Sequence, residues 1–313
     1  RIQKLAGCPF AFFLQNVLKL EPADDPERHP ARWLEPMDEG TLLHETFRIF
    51  FDRITQAGEK PEAARHGELL EAIAAEQIAA WRERVPPRSR MAFEAQRDNV
   101  LFACRTLLRM DEGPCRLVTP RYFEVPFGLD RAGEGAAAAV GSLEPVSIPL
   151  GGRQAFLLRG SIDRVDQAPD GSYHVWDYKT GSPYNVREGA GLRGGRQIQP
   201  ELYAMAFDAL LERAGLAGLV SSAGYFFPGR KGEGLRIEEA PNAGPAREVL
   251  RRLFNLLEAG MFPHAVSPED CRHCDFESIC GGSERASEQA KKKLAGAENA
   301  TLASFREIHD AER

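Results

Sequence analysis

A two-residue alternation of apolar and polar positions marks the middle of the chain. Residues 160–167 carry the β-branched and apolar pattern of a strand, and Ala168-Pro169-Asp170-Gly171 supplies turn chemistry. Residues 172–179 form a second strand, ended by Thr180-Gly181. On that strand Val175, Asp177 and Lys179 share one face, and Trp176 and Tyr178 share the other. Helical periodicity governs the first third instead. Residues 1–20 form a helix pattern broken at Cys8-Pro9, and residues 21–36 a Pro-rich loop that Arg32-Trp33-Leu34 anchors. Leu42, Leu43, Phe47, Ile49, Phe50 and Ile54 recur at helical spacing over 38–56, and 61–84 and 89–111 read as two further long helices.

Strand patterns return at 120–129 and around the Gly151-Gly152 turn at 144–158, separated by a Gly/Ala-rich connection over 130–141 that reads as flexible. After the central hairpin come a Gly-rich loop (182–196), a helix (196–214), strands at 219–227 and 234–239, and a helix at 244–259. A loop bearing cysteines and a charged helical tail from residue 286 complete the chain. The expected fold class is α/β. A central mixed sheet is flanked by helices, and a helical lobe precedes it. The expected divisions are 1–37, 38–118, 119–262, 263–285 and 286–313.

Composition narrows the function classes. The net charge of −6 speaks against a protein that coats nucleic acid, but not against a site built from carboxylates. Basic residues are local: Arg187, Arg193 and Arg196 in the Gly-rich loop, Arg230, Lys231 and Arg236 around another, and Lys291 to Lys293 near the end. No apolar run approaches the ~18 residues of a membrane span, and no phosphate-binding GxxxxGK[ST] loop occurs. No signal peptide opens the chain, which begins with Arg rather than Met and reads as part of a longer polypeptide. Cys104 and Cys115 are scattered. Cys271-x₂-Cys274-x₅-Cys280 is a cluster, which without a secretory signal reads as metal binding rather than disulfides.

The candidate chemistry sits at the end of the second strand. Asp177 and Lys179 point into one space, and Asp163 on the neighbouring strand can add a second carboxylate. Hard oxygen ligands beside an ammonium suit a divalent metal and a phosphodiester. Taken alone, Asp-x-Lys reads first as a salt-bridged hairpin, His44 as a packing or surface residue on its helix, and Gln199 with Tyr203 as a polar stripe at i, i+4.

The motifs together resemble a family. Asp163, then Asp177-Tyr178-Lys179-Thr180-Gly181, then Gln199-Pro200-Glu201-Leu202-Tyr203 are similar to the PD-(D/E)XK nucleases of the RecB and AddB type. Gly40-Thr41-Leu42-Leu43-His44 resembles that family's upstream histidine motif, and Cys8 with Cys271, Cys274 and Cys280 its iron–sulfur variant. The resemblance implies a restriction-endonuclease-like core and a Mg²⁺- or Mn²⁺-dependent DNA exonuclease within a helicase–nuclease for double-strand break repair and recombination. Its partner would be an AddA-type subunit, and its setting the bacterial cytoplasm at the nucleoid. It further implies that His44, Asp163, Asp177 and the Tyr178 carbonyl hold the metal, with Glu124 beside them. Lys179 would position the attacking water, and Gln199 and Tyr203 would contact DNA or brace the site. Gly40 would let another backbone approach, and Arg187, Arg193 and Arg196 would follow the phosphate backbone. The four cysteines would hold a [4Fe–4S] cluster as a four-cysteine clasp joining both ends of the chain, although Cys-x₂-Cys spacing by itself favours Zn²⁺. Two alternatives share these motifs: a non-catalytic DNA-binding or scaffold module, and a stand-alone CRISPR-adaptation-type exonuclease.

Overall fold

In a computed structural model the described residues are 1–21, 31–112, 117–186, 188–189, 191–272, 274–296 and 300–310. The chain opens with short helices α1 (Ile2–Gly7) and α2 (Pro9–Phe12), split where Pro9 starts a new first turn. Three long helices follow: α3 (Pro36–Gln56), α4 (Ala63–Arg84) and α5 (Arg90–Asp111). Pro36, Asp38 and Glu39 suit the start of α3 by geometry and by charge against the helix dipole. Ser89 caps α5 by accepting from the Ala92 amide at 3.3 Å.

Then come β1 (Thr119–Phe127), β2 (Val146–Gly151), β3 (Gln154–Leu158), β4 (Gly160–Gln167) and β5 (Tyr173–Tyr178). Next are α6 (Gln199–Ala214), β6 (Val220–Phe227), β7 (Leu235–Glu239) and α7 (Ala243–Glu258). The short helix α8 (Glu277–Cys280), α9 (Ser283–Ala295) and α10 (Ala303–Asp310) complete the order.

Five strands form one mixed sheet in the order β1-β4-β5-β6-β7, while β2 and β3 make a separate hairpin. Among these strands β5 and β6 pair in parallel and the other neighbours antiparallel, and α6 is the crossover that parallel pairing requires. On one face Val125, Ile162, Val165, Val175 and Ala223 pack with α6, α7 and α10. On the other, Phe123, Trp176, Tyr178 and Phe226 pack with α3, α4 and α5. The alternation read on β5 therefore divides two cores. Among the described residues no helix is long and apolar enough to cross a membrane.

Three stretches differ from expectation. The 130–141 connection contains a short turn of 3-10 helix, Gly135–Ala139, in which Ala137 is buried, and Val140 just after it is buried as well. The tail is not merely a charged appendage: Phe305 and Ile308 of α10 are fully buried in the core beside α7. Gly40 is not needed for close backbone approach, since a Cβ there would meet only the Thr180 hydroxyl, at 4.0 Å.

A buried ionic network braces the α5 side of the sheet. The Arg164 guanidinium donates to Asp166 at 2.6 and 3.2 Å and to Asp111 at 2.6 Å, and lies over the Phe51 ring. Asp166 also accepts from the Trp176 indole at 3.1 Å, and Asp111 accepts from Arg236 at 2.5 Å. Asp166→Ala would strip a fully buried guanidinium of one carboxylate and leave the indole N–H unpaired. We expect a loss of about 3–5 kcal/mol, read as a fall in melting temperature of roughly 5–10 °C. A midpoint that stays put would show that the network contributes little.

Candidate metal centre

The site forms where two strands part. β4 and β5 pair from Gln167/Tyr173 as far as Arg164/Trp176. Asp163 and Asp177 lie just beyond that last pair. The Tyr178 amide donates to Asp163 Oδ2 at 2.7 Å, so the carboxylate takes the place of a backbone partner. On β1, Phe123 and Val125 pair with Arg164 and Ile162, while Glu124 between them has φ +47°. A non-glycine residue held there costs of order 1–3 kcal/mol. The Glu124 Oε1 atom lies 3.2 Å from Nδ1 of His44 on α3, and Asp163 Oδ1 lies 3.6 Å from the same nitrogen. Ligand atoms of His44, Glu124 and Asp163 all fall within 4.8 Å of one another. The His44 ring is fixed edge-on to Tyr178, with centroids 5.5 Å apart.

Asp177 and Lys179 meet the first turn of α6. Gln199 donates to Asp177 Oδ1 at 2.5 Å and accepts from Lys179 Nζ at 2.9 Å, so one amide spans the acid and the ammonium. Gln199 also bonds the Tyr203 hydroxyl at 3.0 Å. Lys179 Nζ stands 2.6 Å from Asp177 Oδ2 and 5.4 Å above the Tyr225 ring. That Asp177 oxygen is buried, and the ammonium is its charge partner.

Burial and mutual repulsion set the protonation. Burial pushes the Asp163 carboxyl up to about 8, with Asp177 and Glu124 adding to it and His44 opposing. Burial likewise raises Asp177 against the pull of Lys179. Burial alone would lower His44, but Asp163, Glu124 and Asp177 outweigh it and bring the imidazole to about 9. Glu124 stays below its ordinary range because the His44 hydrogen bond and charge overcome its burial. Crowded, buried carboxylates beside an imidazole fit a hard divalent cation.

Four cysteines from opposite ends of the sequence line a second cavity. Cys8, Cys271, Cys274 and Cys280 surround it with Phe10, Ala11, Ala265 and Phe276. Cys8 caps α2 by accepting from the Ala11 amide at 3.4 Å. Burial raises the thiols of Cys8 and Cys280, and that of Cys271 to about 11, with neighbouring thiols adding to it. Four cysteines lining one cavity suit a thiophilic metal or cluster by donor type. Cys104 is buried in α5, and Cys115 lies outside the described residues.

Residues 1–281 match the profile of the PD-(D/E)XK nuclease superfamily. The chain belongs to that superfamily. It is also similar to ATP-dependent helicase/deoxyribonuclease subunits of the AddB type. The one from Desulforudis audaxviator is 29% identical over 194 residues, and one from Desulfitobacterium hafniense 27% over 192. Each alignment covers 58% of this chain but only 15% and 14% of those relatives, so the chain spans a small part of their length.

Members of the PD-(D/E)XK superfamily use divalent metals, and here His44, Glu124, Asp163, Asp177, Lys179, Gln199 and Tyr203 come together. The described basic residues of the Gly-rich loop do not gather in the same way. Arg196 is held by Asp270 at 2.8 and 2.7 Å, Arg193 sits at φ +44° in the turn before α6, and Arg187 lies outside the described residues. Arg236 is engaged with Asp111, and Arg230 with Asn99. Two residues join the site that the sequence does not point to. Ser161 donates to Glu124 Oε2 at 2.9 Å, and Arg131 reaches Ser161 at 3.3 Å and Glu124 at 3.6 Å. No motif marks either one.

Proposed function

We propose that this chain is a metal-dependent deoxyribonuclease segment that trims DNA ends within a helicase–nuclease acting in double-strand break repair. The observation that supports it most is the gathering of ligand atoms of His44, Glu124 and Asp163 within 4.8 Å of one another, with the Asp177–Lys179 ion pair beside them. His44, Glu124, Asp163 and Asp177 would hold Mg²⁺ or Mn²⁺, with the Tyr178 carbonyl as a further ligand. A bound cation would polarise the phosphodiester and bring a water toward hydroxide near neutral pH.

The protein's own groups supply the rest. Lys179 offers a fixed ammonium that orients the attacking water and balances charge growing on the phosphate. Gln199 keeps that ammonium from swinging into solvent by binding it and Asp177 at once. Tyr203 fixes Gln199 in turn. Attack on phosphorus opposite the leaving oxygen then breaks the strand. Arg131 is 53% exposed and reaches the rim of the same site, where it suits a DNA phosphate. Arg131→Ala should raise KM for DNA about 3–10-fold with kcat little changed, as for lost uniform binding. Steady-state kinetics on linear duplex checks this, and a kcat effect without a KM effect would assign Arg131 elsewhere.

The four thiols, one ahead of the sheet and three after it, would hold a [4Fe–4S] cluster in preference to zinc, in a structural role. The helices α3 to α5 would wall the DNA channel, and the divisions at 37, 118, 262 and 285 would separate lobe, nuclease core, cysteine loop and tail. An AddA-type helicase subunit would feed the strand, at the bacterial nucleoid.

The deciding experiment is cleavage of end-labelled linear DNA with Mg²⁺ and with EDTA. Metal-dependent shortening from an end is expected. Failure to cut, both alone and assembled with a helicase subunit, would leave a DNA-binding module and overturn the proposal.

A further inference from the structure

We propose that Arg196 and Asp270, with Gln3, form a positioning link through which the cysteine-bearing segments set Gln199, and hence Lys179, for cleavage. The inference rests on the nuclease reading and adds to it a mechanical connection between the two candidate metal centres.

The link starts at the thiols. Asp270 immediately precedes Cys271. Its Oδ1 accepts from Arg196 Nε at 2.8 Å and its Oδ2 from Nη2 at 2.7 Å. Both side chains are mostly shielded, at 15% and 14% exposure. Such a two-point pair fixes orientation as well as distance. The second contact comes from the other end of the sequence. Gln3 lies on α1, the helix that Cys8 terminates, and its Nε2 donates to the Arg196 carbonyl at 2.8 Å. Segments bearing Cys8 and Cys271 therefore hold one residue, by its backbone and by its side chain.

There is little slack in the packing. A Cβ on Gly7 would come within 3.1 Å of Asp270 Oδ1. Gly195 has φ +97°, and a Cβ there would lie 2.9 Å from that of Ala6. The turn before α6 is thus seated directly on α1. From Arg196 the chain needs three residues to reach Gln199, where α6 begins. Gln199 touches Asp177 Oδ1 and Lys179 Nζ. A shift of the turn that carries Arg196 moves the amide that spans acid and ammonium. Any group held by Cys8 and Cys271 sets the spacing of α1 and Asp270, so its presence is felt at Lys179.

The test uses Asp270→Asn, Arg196→Lys and the reversed pair Arg196→Asp/Asp270→Arg in the complete protein purified without oxygen. Metal content, kcat and KM on linear DNA, and hydrogen exchange over residues 196–203 are measured for each. The single variants are expected to keep wild-type metal content and KM and to lose kcat about 10–100-fold, the range for an ångström-scale misplacement. Arg196→Lys fails with its charge intact because an ammonium cannot form the fork. Amides of the first turn of α6 should exchange faster, and the reversed pair should recover most of both. Wild-type kcat and exchange in both single variants would overturn the link. Loss of metal content in step with kcat would also overturn it, making the pair a staple of the cysteine loop alone. If the parent protein cuts no DNA, the nuclease reading falls by itself. Exchange then decides the link: unchanged protection of α6 in Asp270→Asn removes it.

Discussion

Lys179→Ala is expected to lower the rate of DNA cleavage by roughly 100–1000-fold, the usual cost of removing one preorganised charge from a reacting phosphate. Binding of DNA and of divalent metal should change far less. The ammonium lies against Asp177, Gln199 and the Tyr225 ring. Its removal leaves Gln199 still bound to Asp177 and to Tyr203, and the sheet and α6 stay packed. What disappears is the positive charge at the rim, together with the counterweight that limits the upward shift of the Asp177 carboxyl. Lys179→Arg should fail nearly as badly, because a planar fork does not place a point charge where the ammonium stood. Single-turnover cleavage, with metal affinity measured alongside by calorimetry, checks the expectation. A variant within tenfold of wild type would remove Lys179 from the chemistry. Lost metal binding would make it a residue that merely organises Asp177.

Cys280→Ala should give a protein that is colourless, lower in bound iron or zinc, and less stable. A metal or cluster held by the four thiols would tie the start of the chain to a point about 260 residues later. Closing so long a loop restricts the unfolded chain by about 5 kcal/mol in the loop-entropy treatment. The cost falls on folding, because metal binding and folding are coupled at such sites. A drop in melting temperature of roughly 10 °C is the matching scale. Visible absorbance, metal analysis and thermal unfolding measure the three consequences separately. A variant that kept colour and midpoint would show that Cys280 is not a ligand. Zinc without colour in the wild-type protein would replace the cluster with an ion and leave the stability argument standing.

Local periods and motifs were the most legible parts of this sequence. The two-residue alternation of 172–179 correctly placed Asp177 and Lys179 on one face and Trp176 and Tyr178 on the other, because a strand imposes that geometry on any side chain. Helical spacing placed α3 to α5 to within two residues. Long-range facts were not written in any window. That Glu124 takes φ +47° depends on its sheet neighbours, and nothing in Phe-Glu-Val announces it. Arg164 and Asp166 read as polar positions of a strand, yet they are buried because Asp111 and Trp176 arrive from elsewhere. Arg131 sits in a segment whose Gly and Ala content suggested only flexibility. Arg196, grouped with its basic neighbours as a phosphate contact, is claimed by Asp270, 74 residues on. Phe305 and Ile308 had a helical spacing of three, but the charges around them masked it.

The burial of α10 changes where this molecule can be cut. Homology to the superfamily profile stops at residue 281, which invites a shorter expression fragment ending there. Such a fragment would lack Phe305 and Ile308, both 0% exposed against the core that includes α7. It would present an open apolar trough where those two side chains had been, and a sticky surface of that kind leads to precipitation during production. The boundary of the shared architecture and the boundary of the foldable unit are therefore different places on this chain.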